Sequence, residues 1–142
     1  MVTLSVVVRG VAAIALLGSV VGGCASAGST GTVKAVTPAD LHSMAGVWQG
    51  TMTNISGGSV PATLTVNADG TYSARGGAFA STGKTEAKDG KLDFVTTSTS
   101  GGLTIGQRTG SAVLMDRGDT WALVGSGQAP AGPFNFQFSK VK

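Results

Sequence analysis

The chain has 142 residues, with 10 Lys and Arg against 7 Asp and Glu and a formal net charge of +3. The basic residues are scattered and form no Lys/Arg run, which excludes the electrostatic footprint of a nucleic-acid binder. One cysteine excludes an intrachain disulfide, and one histidine, His42, leaves too few ligands for a metal cluster and no base to pair with a nucleophile.

In chain order, Arg9 supplies a positive charge and residues 11–21 an apolar run. The run is short for a membrane span, which needs roughly 20 apolar residues, but suits a signal-peptide core of about 7 to 15. Val21-Gly22-Gly23-Cys24 follows directly. It resembles the lipobox of bacterial lipoproteins, in which an aliphatic and two small residues precede an obligatory cysteine. The resemblance implies that residues 1–23 are a signal peptide removed before Cys24. It also implies a diacylglyceryl group on the Cys24 thiol and an acylated amino terminus, together more than the two signals that stable anchoring requires. The expected location is the bacterial cell envelope, held to a membrane by lipid. Ala25 stands where enteric lipoproteins retained in the inner membrane carry Asp, so the outer membrane is favoured in a host that has one. Without Arg9 the ten basic residues become nine against seven, or +2.

Residues 24–36 are small, polar and glycine-containing, and read as a flexible tether reaching on the order of 20 Å. A domain over residues 37–142 follows. Thr37-Pro38-Ala39-Asp40 predicts a helix start, with Thr37 as N-cap, Pro38 at the first helical position and Asp40 near the positive helix end. Leu41 and Met44 share a face and Gly46 ends the helix. From Val47 the period becomes two: Trp48, Gly50 and Met52 on one face, then Val60, Ala62, Leu64 and Val66, and at the end Phe134, Phe136 and Phe138. Asp89-Gly90 predicts a two-residue hairpin setting Ala87 opposite Leu92 and Thr85 opposite Phe94. Ala68-Asp69-Gly70 predicts a three-residue hairpin placing Tyr72 across from Val66, and Asp116 to Asp119 another turn. The strands are expected near 47–54, 60–67, 71–79, 83–88, 91–98, 103–115 with a break near 106–110, 119–126 and 133–140. Eight strands in sequential hairpins predict an all-β fold, an up-and-down antiparallel barrel preceded by a short helix.

Gly46-Val47-Trp48 resembles the Gly-x-Trp signature of the lipocalin-like, or calycin, barrels. The resemblance implies that a short helix leads into the first strand, that Trp48 closes the barrel floor, and that a basic residue on the last strand packs over it. Lys140, in phase with the three phenylalanines, takes that place, although the family usually has Arg.

Asp69, Asp89, Asp93, Asp116 and Asp119 belong to turns or their flanks, Asp40 to the helix start and Glu86 to the outer face. No carboxylate pair remains for acid–base work, so a non-enzymatic protein without cofactor or metal is expected. Trp48, Tyr72, Phe94, Trp121 and Phe136 are the candidate pocket residues, since an eight-stranded barrel either fills itself or holds one small ligand. Small inward residues Gly50, Ala62, Ala74 and Gly76 are expected to leave volume between the strands. Two functions follow: a binder of a small apolar or amphipathic ligand at the membrane surface, or a protein-interaction, inhibitor or structural module of the envelope with a filled core. An envelope protein partner belongs to the second. Mechanisms like those of bacterial metalloprotease inhibitors need a free amino terminus, which acylation removes, and avidin-like pockets need more tryptophans than Trp121 offers.

Overall fold

A computed structural model describes residues 31–99, 107–129 and 131–142, apart from the Arg108 side chain. The segment expected to be a signal peptide, Cys24 with the expected lipobox, and the expected tether before Gly31 lie outside the described residues. Among those described, one sheet contains β1 (Thr32–Lys34), β2 (Gly46–Asn54), β3 (Ser59–Val66), β4 (Thr71–Gly76), β5 (Phe79–Lys88), β6 (Lys91–Thr99), β7 (Gln107–Asp116), β8 (Trp121–Ala129) and β9 (Gly132–Lys140), with α1 (Asp40–Ser43) before β2. Strands β2 to β7 pair antiparallel in succession, β2 pairs with β9 and β9 with β8, and β7–β8 pairing closes the ring. The result is the expected closed, eight-stranded up-and-down barrel, with β1 as an addition. It is consistent with the lipocalin-like architecture.

Local chemistry sets most of the register. Asp89 and Gly90 both have positive φ, 50° and 74°, so the hairpin turns in two residues and pairs Lys88 with Lys91, Ala87 with Leu92 and Thr85 with Phe94. At the 67–71 hairpin the Asn67 amide donates to the Thr71 carbonyl at 2.8 Å. The Asp69 carboxylate accepts from the Thr71 amide at 2.9 Å and hydroxyl at 2.7 Å, which lowers its pKa. Tyr72 then faces Val66.

Three expectations are corrected. The strand placed at 71–79 ends at Gly76; the chain reverses at Gly77-Ala78, and Phe79 opens β5 opposite Gly76. The expected break near 106–110 is a bulge instead. Phe94 pairs with Gly110 and Val95 with Arg108, leaving Thr109 as the extra residue while β7 continues. Finally, residues 32–36 are part of the barrel, not the tether. Strand β6 pairs with β7 only as far as Leu92 and Ala112, and β1 takes up the ladder beyond it, with Thr32, Val33 and Lys34 opposite Asp116, Met115 and Leu114. The Val36 amide donates to the Gly90 carbonyl at 2.9 Å and its side chain is buried.

The helix closes one end of the barrel. It begins at Asp40 with Ala39 in the N-cap position and no side-chain cap, later than the start expected with Pro38 at the first helical position. Asp40 Oδ2 accepts from the Thr37 amide at 2.9 Å and the Thr37 hydroxyl at 2.6 Å, so Thr37 holds the carboxylate and is not the N-cap expected of it. Lys34 Nζ reaches Asp40 Oδ1 at 2.8 Å, tying β1 to the helix. Trp48, fully buried, donates its indole N–H to the Met44 carbonyl at 3.0 Å. Lys140 pairs with Trp48 across β2–β9; its Nζ sits 5.8 Å from the Trp48 ring and donates to the Ser43 carbonyl at 2.6 Å. The same ammonium lies 5.6 Å from Trp121, and Lys34 Nζ lies 5.0 Å from that ring. Gly46, at φ 135°, makes the change from helix to strand, and a Cβ there would press on the Lys140 stem at 3.3 Å.

Packing above this plug follows one pattern. The chain has five Phe and one Tyr, and each lies directly across from a glycine: Tyr72–Gly83, Phe79–Gly76, Phe94–Gly110, Phe134–Gly127, Phe136–Gly125 and Phe138–Gly50. A Cβ would meet both the paired ring and backbone at Gly83, Gly125 and Gly127, backbone at Gly50 and Gly110, and the Ala62 Cβ at Gly76. A Cβ on Gly125 would fall against the Ser111 carbonyl oxygen and 2.8 Å from the Phe136 ring.

Gly125→Ala should therefore destabilise by about 1–3 kcal/mol, since neither backbone nor ring can yield freely, as read in a urea melt. A second expectation concerns pH. The Lys34 ammonium and the Thr37 donors hold the Asp40 pKa well below the ordinary carboxylate range. Its contribution is complete above about pH 4 and is lost as the pH falls through its lowered folded-state value. The melting temperature should drop on acidification from about pH 5 toward pH 2, and the drop should be shallower in Asp40→Asn.

Candidate functional site

The end of the barrel opposite α1 differs in chemistry from the plugged end. An interior cavity of about 40 Å³ lies there, walled by Met52, Leu64, Ala74 and a set of aromatic rings. Phe94 makes edge contacts with Tyr72 at 5.2 Å and with Phe136 at 5.8 Å, and Phe136 leans on Phe138 at 5.6 Å. Nearer solvent, Phe79 and Phe134 stand 5.9 Å apart, each half-buried, so they form the outer wall. Beside them two apolar side chains are exposed, Ile55 at 75 % and Val60 at 38 %.

One wall is polar. Ser81, Tyr72, Thr96 and Thr109, all buried, form a continuous row of hydroxyls. Ser81 Oγ lies 3.0 Å from Tyr72 OH, which lies 2.8 Å from Thr96 Oγ1, itself 2.6 Å from Thr109 Oγ1. Thr109 in turn donates to the Phe94 carbonyl at 3.4 Å. Tyr72, Ser81 and Thr109 face the cavity.

Strand irregularities build this wall. Plain alternation along β7 turns Gly110, Ala112 and Leu114 inward and would turn Thr109 out. The bulge at Thr109 turns its hydroxyl inward beside Gly110. A second bulge, between Thr82 and Gly83 of β5, leaves Thr97 of β6 unpaired. Ser81 thereby stays opposite Thr99, and Gly83 opposite Thr96, on the inner face. An unsatisfied buried hydroxyl costs about 1–3 kcal/mol, so a row that satisfies its members is tolerated where isolated hydroxyls are not.

Of the candidate pocket residues, Tyr72, Phe94 and Phe136 come together around the cavity. Trp48 and Trp121 do not join them. Trp48 is buried under α1, and Trp121, half-buried, lies between Lys34 and Lys140 at the same closed end. The structural signature of Gly46, Trp48 and Lys140 is gathered there too. The volume expected beside the small inward residues is taken up by the strands themselves. A Cβ on Gly50 would collide with the Gln137 carbonyl oxygen, and one on Gly76 would lie 2.8 Å from the Ala62 Cβ and 3.3 Å from the Met52 sulfur. Only Ala74 of that group borders the cavity.

Ser81, Thr96, Thr109 and Phe79 were not singled out from the sequence. Thr96 continues the phase of Leu92 and Phe94, and Ser81 that of Thr85, so periodicity does carry a signal for both. Nothing local marks Thr109, whose placement depends on a bulge.

Among the described residues, no helix is long and apolar enough to cross a membrane. Comparison of the chain with protein-family models, curated proteins and solved structures finds no match.

Thr96→Val keeps the shape of the side chain but leaves Tyr72 and Thr109 without their shared partner. It should cost about 1–3 kcal/mol in denaturant unfolding, while the same change at exposed Thr63 should cost less than about 0.5 kcal/mol.

Proposed function

We propose that this chain is a lipid-anchored, non-enzymatic lipoprotein of the bacterial cell envelope whose barrel receives the polar end of a small amphipathic molecule at its aromatic end. The observation that carries the ligand reading is the buried hydroxyl row on an otherwise apolar cavity. A core that needed only to fill itself would be built as well from aliphatic residues, without desolvating four hydroxyls. The half-buried Phe79 and Phe134 offer a route outward, and Ile55 and Val60 extend an apolar surface beyond it.

The anchor fits this polarity of the molecule. The chain enters the barrel at Thr32, opposite Asp116 and beside the Arg117–Thr120 turn, at the end that α1 closes. Cys24 lies eight residues ahead of Thr32, so a lipid there is tied to the chain at this same end. The plugged end then faces the bilayer and the aromatic end faces away from it, toward whatever the protein meets in the envelope. The outer membrane remains the favoured site in a host with two membranes.

A second reading, a filled barrel acting as a structural or protein-interaction module, is favoured by the cavity's size. Its 40 Å³ is small against the roughly 150 Å³ that accommodates benzene in an engineered protein cavity. The ligand reading therefore seats a head group inside and leaves the tail outside.

Two measurements test these statements. Palmitate labelling in the native host should tag the wild-type protein and not Cys24→Ala, and equal labelling of both would remove the lipid anchor. Native mass spectrometry of protein released from its own membranes should show an added small mass that is lost in Phe134→Ala and Phe136→Ala. A wild-type spectrum at the lipoprotein mass alone would favour the filled barrel.

A further inference from the structure

The hydroxyl row has a direction. Each hydroxyl carries one proton and two lone pairs, and the Phe94 carbonyl oxygen at the end of the row only accepts. At 3.4 Å its bond from Thr109 is long, yet it is the one acceptor along the row that is not itself a hydroxyl. Run toward that carbonyl, the protons pass from Ser81 to Tyr72, Tyr72 to Thr96, Thr96 to Thr109 and Thr109 to Phe94. Every proton is then used, and only lone pairs on Ser81 are left over. Run the other way, the Ser81 proton points into the cavity without an acceptor and the Phe94 carbonyl loses its hydroxyl partner. Buried unspent donors are rarer and costlier than unspent lone pairs, so the first order prevails.

The consequence falls on Ser81, which is 4 % exposed and borders the cavity. Its hydroxyl donates into a chain of polarised hydroxyls, which strengthens its oxygen as an acceptor, and among the described residues no donor meets that oxygen. A ligand group at this point must bring its own proton. We propose that Ser81 is the head-group contact for an uncharged amphiphile that donates a hydrogen bond, an aliphatic alcohol, and that the proton order of the row rejects carboxylates and ethers; this rests on the reading of the aromatic end as a ligand site. Size agrees with the chemistry. The 40 Å³ cavity is about three times the ~10–15 Å³ that one water-sized sphere occupies, enough for a terminal hydroxymethyl group. The alkyl tail leaves between Phe79 and Phe134, which must part from their 5.9 Å ring contact to let it through, and lies along Ile55 and Val60.

The test uses the full-length chain and three probes with the same tail: n-octanol, octyl methyl ether and octanoate at neutral pH. Binding is followed by NMR shifts at Ser81, Tyr72 and Phe134. On the wild type, n-octanol should bind about tenfold more tightly than the ether, the difference of one satisfied hydrogen bond, and more than about a hundredfold more tightly than octanoate, whose charge meets no proton. In Thr109→Val the link to the Phe94 carbonyl is gone and the row is free to reverse, so that Ser81 donates into the cavity. The preference for alcohol over ether should then shrink to within about twofold. A purely structural role for Thr109 would weaken both probes equally and keep their ratio, which would overturn the directional row. Wild-type binding of the ether or octanoate as tight as that of n-octanol would overturn the donor rule while leaving the ligand site standing. No shift with any of the three probes would overturn the ligand site and the rule together. The wild-type comparison is decisive even if the variant does not fold.

Discussion

The barrel depends on the pairing of each phenylalanine, and of its tyrosine, with a glycine on the neighbouring strand. Tyr72, Phe94, Phe136 and Phe138 each face a residue with a side chain across one neighbouring strand (Val66, Thr85, Met52 and Leu123) and a glycine across the other, so the glycine relieves crowding on one side of the ring. At Gly83, Gly125 and Gly127 the space of the absent Cβ is taken by the ring of the paired Tyr72, Phe136 or Phe134, as in the aromatic shielding of strand glycines. The rings then meet one another edge-on or tilted, from Tyr72 through Phe94 and Phe136 to Phe138. Such contacts contribute about 0.5–1.5 kcal/mol each beyond burial. The 23 glycines of the chain are thus more than loop material. The glycines opposite rings set where the strands come close, and so where the cavity is able to exist.

The two ends of the cylinder solve different problems with this frame. At the plugged end, Trp48 is held by the Met44 carbonyl on one side and the Lys140 ammonium on the other, and the lysine also caps the Ser43 carbonyl at the end of the short helix. One side chain therefore joins the last strand, the first barrel strand and the helix. At the aromatic end no such plug is present among the described residues, and the bulge in β7 turns the Thr109 hydroxyl toward the axis. A regular β7 would have placed Thr109 in water and left Thr96 with one partner fewer. The Thr109 end of the polar wall is thus a product of irregularity, a common use of bulges near functional sites.

Much of this was legible in the sequence. The alternation at Trp48–Gly50–Met52 and Phe134–Phe136–Phe138 fixed which faces turn inward, and the Asp89-Gly90 turn fixed the pairing of Thr85 with Phe94. The Trp48–Lys140 contact followed from phase and from the adjacency of first and last strands in a closed ring. What escaped depended on long-range geometry. Strand β1 forms only because β6 stops short along β7, a fact about two distant segments that the polar, glycine-containing run before Val36 does not advertise. The candidate pocket residues were chosen as aromatics and so included both tryptophans, yet Trp48 and Trp121 belong to the plug and hydroxyls supply one wall of the cavity. The glycine–aromatic pairing was present in the register of the hairpins but emerges only when every strand is in place.

The position of β1 also governs how the molecule bears mechanical load. Tension on the chain ahead of Thr32 acts first on a three-residue strand at the end of β7, secured by its ladder to 114–116, the Lys34–Asp40 ion pair and the Val36–Gly90 bond. The ladders of the closed ring are separate from these contacts, and β1 is joined to the ring by them, by Val36 in the core and by Lys34 over the Trp121 ring. Releasing residues 32–36 adds about 17 Å of reach at roughly 3.3–3.6 Å per residue. A pull from the amino-terminal side thus reaches the eight-stranded cylinder through this short strand at its plugged end, the end farthest from the cavity.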